Sequence, residues 1–279
     1  MSEIFQRVQP KQTYYHHSMT YPDGTFIQGK LDHGQDLSLY GNMASLIEGS
    51  EVLDIATNDG YWAFWAEQQG GNVFAMDVGG YDGYDWGANG MPASAKHLGQ
   101  QDKWETFWIH HEAMKSKVHA LTGSVYDLRH MYQFKAQKFN LIMNYGLLYH
   151  LRDPRGALDE CRRVCDGAMI LETQVLPFAH TVPMALDCGN DIGLLTDTDN
   201  NWPTESCVAH WLKEAGFPRI FIQYRNTKRS QTRQRFIACV DDKWAEHFEH
   251  QNAFFEVNDM YWAKCKQATS EFADKNSRD

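Results

Sequence analysis

The chain has little that ties it to a membrane, an oxidising compartment or a polyanion. No apolar run approaches the roughly 20 residues that a membrane span needs. The first residues, MSEIFQRVQPKQ, are polar and do not resemble a secretory leader, so a cytoplasmic protein is expected. The six cysteines (Cys161, Cys165, Cys188, Cys207, Cys239, Cys265) include no CxxC pair. A disulfide framework and free thiols are the two readings. Without a leader, free and buried thiols are expected. Positive charge is short as well. Against 36 acids stand 26 Lys and Arg, giving a net charge of -10. A uniformly acidic surface makes a poor general binder of nucleic acid, because phosphate contacts need a basic footprint. Internal repeats and low-complexity segments are absent.

What is present is a 279-residue chain with 43% hydrophobic and 13% aromatic residues, enough for a real core. One stretch organises it: EVLDIATNDGYWAFWAEQQGGNVFAMDV, residues 51–78. Val52 to Ile55 is a short apolar run that reads as a buried parallel strand. The turn Ala56-Thr57-Asn58-Asp59-Gly60 leads into a helical pattern with Trp62, Phe64, Trp65 and Ala66, which ends at Gly70-Gly71. A second strand, Asn72 to Met76, closes on Asp77. Such a βαβ unit turns backbone N–H groups and a helix start toward a ligand. An acid at the second strand tip suits a ribose diol, since a carboxylate accepts hydrogen bonds from both hydroxyls.

Residues 1–45 are aromatic and loop-rich, with Tyr14-Tyr15-His16-His17 and the turn Tyr21-Pro22-Asp23-Gly24. They read either as an arm packed on the surface or as a lid that brings Tyr14, Tyr15 and His16 to a substrate. Beyond Asp77 comes a Gly-rich aromatic and acidic loop without phosphate-cradle spacing. A helix is expected over Trp104–Lys115, strands over Lys117–Leu121, Phe139–Asn144 and Ala168–Thr173, and a helix over residues 155–165. Residues 176–201 lack periodicity and read as an insertion forming a substrate wall. A helix over Ser206–Ala215 follows, then strands over Arg219–Tyr224 and Phe236–Val240 as an antiparallel hairpin. The tail, residues 242–279, reads as an amphipathic helix from Lys243 to Lys266 that packs on the core or on a second copy in a homodimer. Alternating strands and helices over residues 46–241 predict an α/β fold with a mostly parallel sheet. Ligands then bind at the strand tips: 54–60, Asp77-Val78, 124–127 and 144–150.

At those tips the sequence resembles class I S-adenosylmethionine-dependent methyltransferases. VLDIATNDG is similar to their VLDxGxGxG motif, and Asp77 matches the acid that binds the adenosine ribose. Gly123-Ser124-Val125 stands where the family meets the adenine edge. Asn144 to His150 is similar to the tip beside the methionine part of the cofactor. LYHLRDP followed by a helix and LET occurs also in the tRNA uridine-5-oxyacetate carboxymethyltransferases. The resemblance covers roughly residues 14–240, as several motifs in the right order. It implies a Rossmann-like methyltransferase fold. It also implies S-adenosylmethionine held by Asp54, Ala56, Thr57, Asn58, Gly60, Asp77, Val78, Ser124, Val125, Asn144 and Tyr145. Two of the motif's three glycines are replaced, by Ala56 and Asn58. The loop is expected to turn nonetheless: Ala56 keeps a close approach if its φ is negative, and Asn58 tolerates the left-handed region.

Methyl transfer from a sulfonium needs alignment more than acid–base chemistry. A base helps where the acceptor is a hydroxyl or a protonated amine, and His150, beside Tyr149, is the candidate; a structural histidine is its bland reading. Arg152, Glu172, Tyr14, Tyr15 and His16 are candidate substrate contacts. His16-His17 and His110-His111 are adjacent pairs that do not share a helix face, so no metal site is expected. The stretch from Arg225 to Arg235 holds five cations and no acid. It reads as a solvated loop or as an anion site. In the related carboxymethyltransferases a Tyr at the position of Tyr149 and a late Arg, here Arg233 or Arg235, hold the extra carboxylate of the modified cofactor. The leading expectation is methyl transfer to the O or N of a small molecule. Methyl or carboxymethyl transfer to RNA and a non-catalytic cofactor-binding protein are the alternatives.

Overall fold

A computed structural model describes residues 15–33, 43–86, 90–91, 102–131, 138–176, 181–187, 200–224, 232–249 and 252–276. It divides into two compact units. One comprises Met1–Tyr84, Lys96–Ser124 and Phe139–Met143; the other comprises Asp85–Ala95, Val125–Lys138 and Asn144–Asp279.

The first unit begins with a small hairpin, β1 (Met19–Thr20) and β2 (Phe26–Ile27), antiparallel across the Pro22-Asp23-Gly24 turn. The segment before it runs beside the segment after it. Leu31 N–H donates to the His16 carbonyl at 2.8 Å, and Ser18 N–H to the Leu31 carbonyl at 2.7 Å. Gly29 makes this approach possible, because a Cβ there would lie 2.2 Å from the His17 carbonyl carbon. A short helix, α1 (Ala44–Ile47), buries Leu46 and Ile47.

The βαβ unit follows as read. β3 (Glu51–Ile55) is buried along nearly its whole length, as a central parallel strand requires. α2 (Tyr61–Gln68) buries Trp62, Ala63, Phe64 and Ala66. β4 (Asn72–Asp77) pairs parallel with β3, from Glu51↔Asn72 to Ile55↔Met76. α3 (Glu105–Met114) buries Phe107 and His110, and β5 (His119–Thr122) pairs parallel with β4. β6 (Phe139–Tyr145) is a buried apolar strand whose first five residues belong to this unit, which gives the order β6-β3-β4-β5.

In the second unit, α4 (Pro154–Val164) starts as its sequence dictates. The Asp153 side chain accepts from Gly156 N–H at 2.9 Å, and Pro154 occupies the first turn, where a missing N–H costs nothing. The Asp-Pro of LYHLRDP is thus a helix start. β7 (Cys165–Gln174) follows without a loop. A two-stranded sheet pairs β8 (Ala185–Asp187) with β9 (Asn201–Pro203), so the stretch that lacked periodicity contributes a strand within it and leads into another at its C-terminal end. Thr204 caps α5 (Glu205–Glu214) by accepting from Cys207 N–H.

β10 (Arg219–Gln223) and β11 (Arg233–Cys239) form the antiparallel pair read from the sequence. β11 also pairs antiparallel with β7, from Arg233↔Gln174 to Cys239↔Ala168. The tail departs from the single expected helix: α6 (Asp242–Glu249) gives way to β12 (Phe254–Glu256), then α7 (Asp259–Asn276). Phe254-Phe255 drive the break, because they pair with Gln223 and Ile222 of β10 and Phe254 is buried there. The order in this unit is β12-β10-β11-β7.

The fold is mixed α/β and Rossmann-like, with parallel strands and a C-terminal antiparallel pair. The five described cysteines are free and buried; Cys188 lies outside the described residues. Among the described residues no helix is long and apolar enough to cross a membrane.

Candidate functional site

In the first unit the strand tips converge on the loop between β3 and α2. Ala56 has φ 59 and Asn58 φ 54, both left-handed, and Gly60 has φ 87. The condition of a negative φ at Ala56 is therefore not met. The loop alternates left-handed residues at 56, 58 and 60 because its N–H groups are drawn back onto the end of β4. Thr57 N–H donates to the Met76 carbonyl at 3.1 Å, and Asn58 N–H to Asp77 Oδ2 at 2.9 Å. A left-handed residue other than glycine costs roughly 1–2 kcal/mol. At Gly60 a side chain is excluded twice, by the positive φ and by the Phe64 ring, 2.4 Å from where a Cβ would stand.

Asp54 braces this loop from beneath. Its Oδ2 accepts from the Thr57 hydroxyl at 2.7 Å. Burial is the main cause that pushes its carboxyl up to about 7, against the Thr57 bond and His17, which lower it. Asp77 sits at the tip with three donors: Asn58 N–H and Lys103 Nζ on Oδ2 (2.9 and 2.8 Å), and Val78 N–H on Oδ1 (2.8 Å). Val78 also accepts from Trp104 Nε1 at 3.1 Å through its carbonyl. Gly123 N–H donates to the Asp77 carbonyl at 2.9 Å, which sets Ser124 at the next strand tip of the same unit. Val125 opens a helical turn in the other unit and is buried.

The arm is fastened to this loop. Asp59 Oδ2 accepts from His16 N–H (3.1 Å) and His17 N–H (2.8 Å), and Oδ1 lies 2.6 Å from His17 Nδ1. Burial alone would raise the Asp59 carboxyl, but His17 outweighs it and holds the group well below the usual carboxylate range. Tyr15 is 0% exposed, with its ring 4.7 Å from that of His110. Its side chain packs the arm against α3 and presents no surface to an acceptor. His16 is half-buried beside His17. Tyr14 lies outside the described residues. Asp59, Lys103 and Trp104 were not singled out by sequence reasoning. Asp59 stood inside the motif, where the side chain of a non-glycine position goes unread. Lys103 had no signal beyond standing near a helix start.

The second unit gathers a different set. β6 ends in Asn144 and Tyr145; Asn144 is fully buried, beside the Cys161 thiol. Gly146 N–H then donates to the Glu172 carbonyl at 2.9 Å, so the turn is tied to β7. Tyr149 is buried with its ring 4.0 Å from the half-buried His150 ring. The Tyr149 oxygen accepts from Arg233 at 3.1 Å, and Glu172 accepts from Arg233 (3.1 Å) and from Arg235 Nε (2.8 Å). The strand register explains this cluster. Arg235 lies directly opposite Glu172, and Arg233, two residues away, projects from the same face. Burial works against the Arg233 charge, but Tyr149 and Glu172 hold its pKa above the usual value.

Around Tyr149 and His150 runs a collar of hydrogen bonds. Asp85 accepts from the Tyr126 hydroxyl (2.7 Å) and Arg152 N–H (2.8 Å), while Asn200 N–H donates to the Tyr149 carbonyl at 2.9 Å. The Asn200 side chain also donates to the carbonyls of Asp85 and His150. The Arg152 side chain is exposed. The stretch 225–231 lies outside the described residues.

A family model described as "Methyltransferase domain" matches residues 34–219. A tRNA U34 carboxymethyltransferase of Trichodesmium erythraeum (strain IMS101) is 26% identical over 217 residues, covering 76% of this chain and 58% of that protein. The chain therefore spans less than two thirds of this curated relative's length. Among solved structures, the N-terminal domain of EvdMO1 with SAH bound aligns with a TM-score of 0.58 at 16% identity, covering 86% of this chain and 98% of that one. The same domain in the presence of SAH and D-fucose gives 0.58 at 15% identity, covering 86% and 96%. The motif order, the loop that keeps its turn with one of three glycines, and the match over most of the chain agree: this chain belongs to the methyltransferase domain family.

Proposed function

We propose that the chain transfers a methyl group from S-adenosylmethionine to an oxygen or nitrogen of a small acceptor that carries an anionic group. The donor reading rests on Asp77. A buried carboxylate, held at a parallel strand tip by Asn58 N–H, is built to take hydroxyls of a ribose. The loop residues Ala56 to Gly60 are the part of the motif that would lie against that ligand, with Ala56 and Asn58 half-buried. Bound there, the sulfonium supplies an activated methyl group. The protein then orients the acceptor, excludes water and moves one proton. His150, half-buried, takes the acceptor proton as base. Arg233 is the observation that carries the acceptor reading. Two of the roughly five donors of a guanidinium are used by Tyr149 and Glu172, and its side chain is 37% exposed. The remaining donors suit a carboxylate or phosphate.

A second reading is favoured by the same arginine: carboxymethyl transfer to RNA. The curated relative bears that activity in its name, and the Arg233–Tyr149 pair matches the residues expected to hold a carboxylated cofactor. Calorimetry with S-adenosylmethionine and with its carboxylated form tests the donor. Tighter binding of the carboxylated form favours the second reading, and no binding of either at millimolar concentration removes both. Filter binding of bulk tRNA tests the acceptor, since tight and steeply salt-dependent retention would sink the small-molecule reading.

A further inference from the structure

We infer that Lys103 occupies one of the two hydroxyl seats of Asp77, so that a ribose diol binds by displacing this ammonium. The inference rests on the reading of Asp77 as the ribose-binding acid. A carboxylate offers about four acceptor positions. At Asp77 Oδ2 both are filled, by Asn58 N–H and by Lys103 Nζ; at Oδ1 one is filled, by Val78 N–H. One position remains where a diol needs two. The two backbone donors belong to the loop and strand and cannot withdraw without unmaking them. Lys103 is the movable occupant.

Its surroundings are built for a held cation. The Lys103 and Asp77 side chains are 4% and 6% exposed. Lys103 Nζ lies 5.7 Å from the ring centroids of both Tyr81 and Tyr84. Two aromatic faces attract an ammonium without spending a carboxylate lone pair, so they give it a seat to retreat to. Backbone anchors on either side keep the position fixed. Trp104, the next residue, holds the Val78 carbonyl through its indole N–H, and Asp102 Oδ1 accepts from Trp104 N–H at 2.9 Å. The pair satisfies a carboxylate that burial would otherwise leave short of donors. Liganded, the hydroxyls take over that task. Lys103 is thus a positioning residue that sets how tightly the nucleoside is held.

Calorimetric titration of S-adenosylhomocysteine into wild type, K103M and D77A tests this. K103M frees the second seat, and its affinity rises by roughly three- to tenfold, the scale of one charge-assisted hydrogen bond. An affinity that falls in a K103M that still melts cooperatively overturns the inference, because Lys103 would then be a ligand contact. D77A separates the layers: affinity unchanged in D77A removes the ribose reading itself, whereas affinity lost in D77A without a gain in K103M removes only the displacement. Should K103M not fold, lysine ammonium NMR on the wild-type chain decides. A buried, slowly exchanging Nζ signal that shifts on saturation with S-adenosylhomocysteine supports displacement, and the absence of any change refutes it.

Discussion

Asp77 and Glu172 are both carboxylates near a strand end, both buried, and both held against cations, yet they are built differently. Asp77 receives two backbone N–H groups and one ammonium, from residues 1 to 26 positions away. Glu172 receives two guanidinium groups from a strand 61 to 63 positions later. The first is a local device of one βαβ unit, in which the backbone does most of the holding. The second depends on the antiparallel register of β7 and β11, and its side chains do the holding. An acid fixed by backbone can exchange its side-chain partner for a ligand. An acid shared by two arginines fixes both, and so decides where the remaining donors of Arg233 point.

The largest effect expected is at the second site. Glu172→Ala takes the Glu172 carboxylate away from Arg235, whose side chain is 8% exposed. Removing one partner of a buried pair costs about 3–5 kcal/mol. Urea unfolding at pH 7 measures it. A loss under about 1 kcal/mol would mean that the arginines relax into water, and the contrast with Asp77 would collapse.

The first unit carries its own pH signature. Burial, the largest cause, lowers the His110 imidazole from 6.5 to about 4, with Asp59 opposing and His17 adding to the fall. Its Nδ1 lies 2.8 Å from the Tyr21 hydroxyl, so the neutral ring is the form the fold selects. With the folded pKa below the unfolded one, this contribution is present above pH 6.5 and is lost as pH falls toward 4, by roughly 3 kcal/mol. The depressed Asp59 carboxyl adds a loss of the same sign at lower pH. Unfolding measured at pH 7, 5.5 and 4.5 in wild type and His110→Phe checks this, since the variant should flatten the upper part of the slope even if its own stability is lower.

These two sites also mark how far the sequence could be read. Around Asp77 the pattern was legible because every part lies within one short βαβ segment: apolar strand, small turn, helix, strand, acid. Lys103 escaped because an ammonium on a flexible stem leaves no periodic trace. Around Glu172, Arg233 and Arg235 were visible as part of a run of cations and, through the resemblance, as alternatives for one role. Which of them meets Tyr149 is fixed by strand register, a non-local quantity. The tail differs from one helix because the aromatic pair Phe254-Phe255 fits a helical stripe as well as an edge strand, and pairing with β10 decides between them.

A smaller effect separates binding from stability at the second site. Arg233 is more exposed than Arg235, 37% against 8% for the side chains. Arg233→Met should therefore change stability by under about 1 kcal/mol. It should also lower kcat/KM for an anionic acceptor by roughly tenfold or more, the scale of a charge-assisted bond. Kinetics with the acceptor and its uncharged analogue tests this: an equal loss for both would show that Arg233 serves the fold and not the anion.

The smallest effect lies in the loop that started the assignment. Ala56 holds φ 59, a conformation in which a Cβ is strained and a glycine is not. Ala56→Gly removes that strain but also loosens the unfolded chain, a cost of up to about 1 kcal/mol that partly cancels the gain. A net stabilisation of about 0.5–1 kcal/mol remains, with the Thr57 and Asn58 bonds unchanged. Thermal melts resolve such a difference. Destabilisation by Ala56→Gly would mean that the alanine methyl is packed to advantage. The loss of the family's glycines would then be an adaptation of this loop and not a tolerated strain.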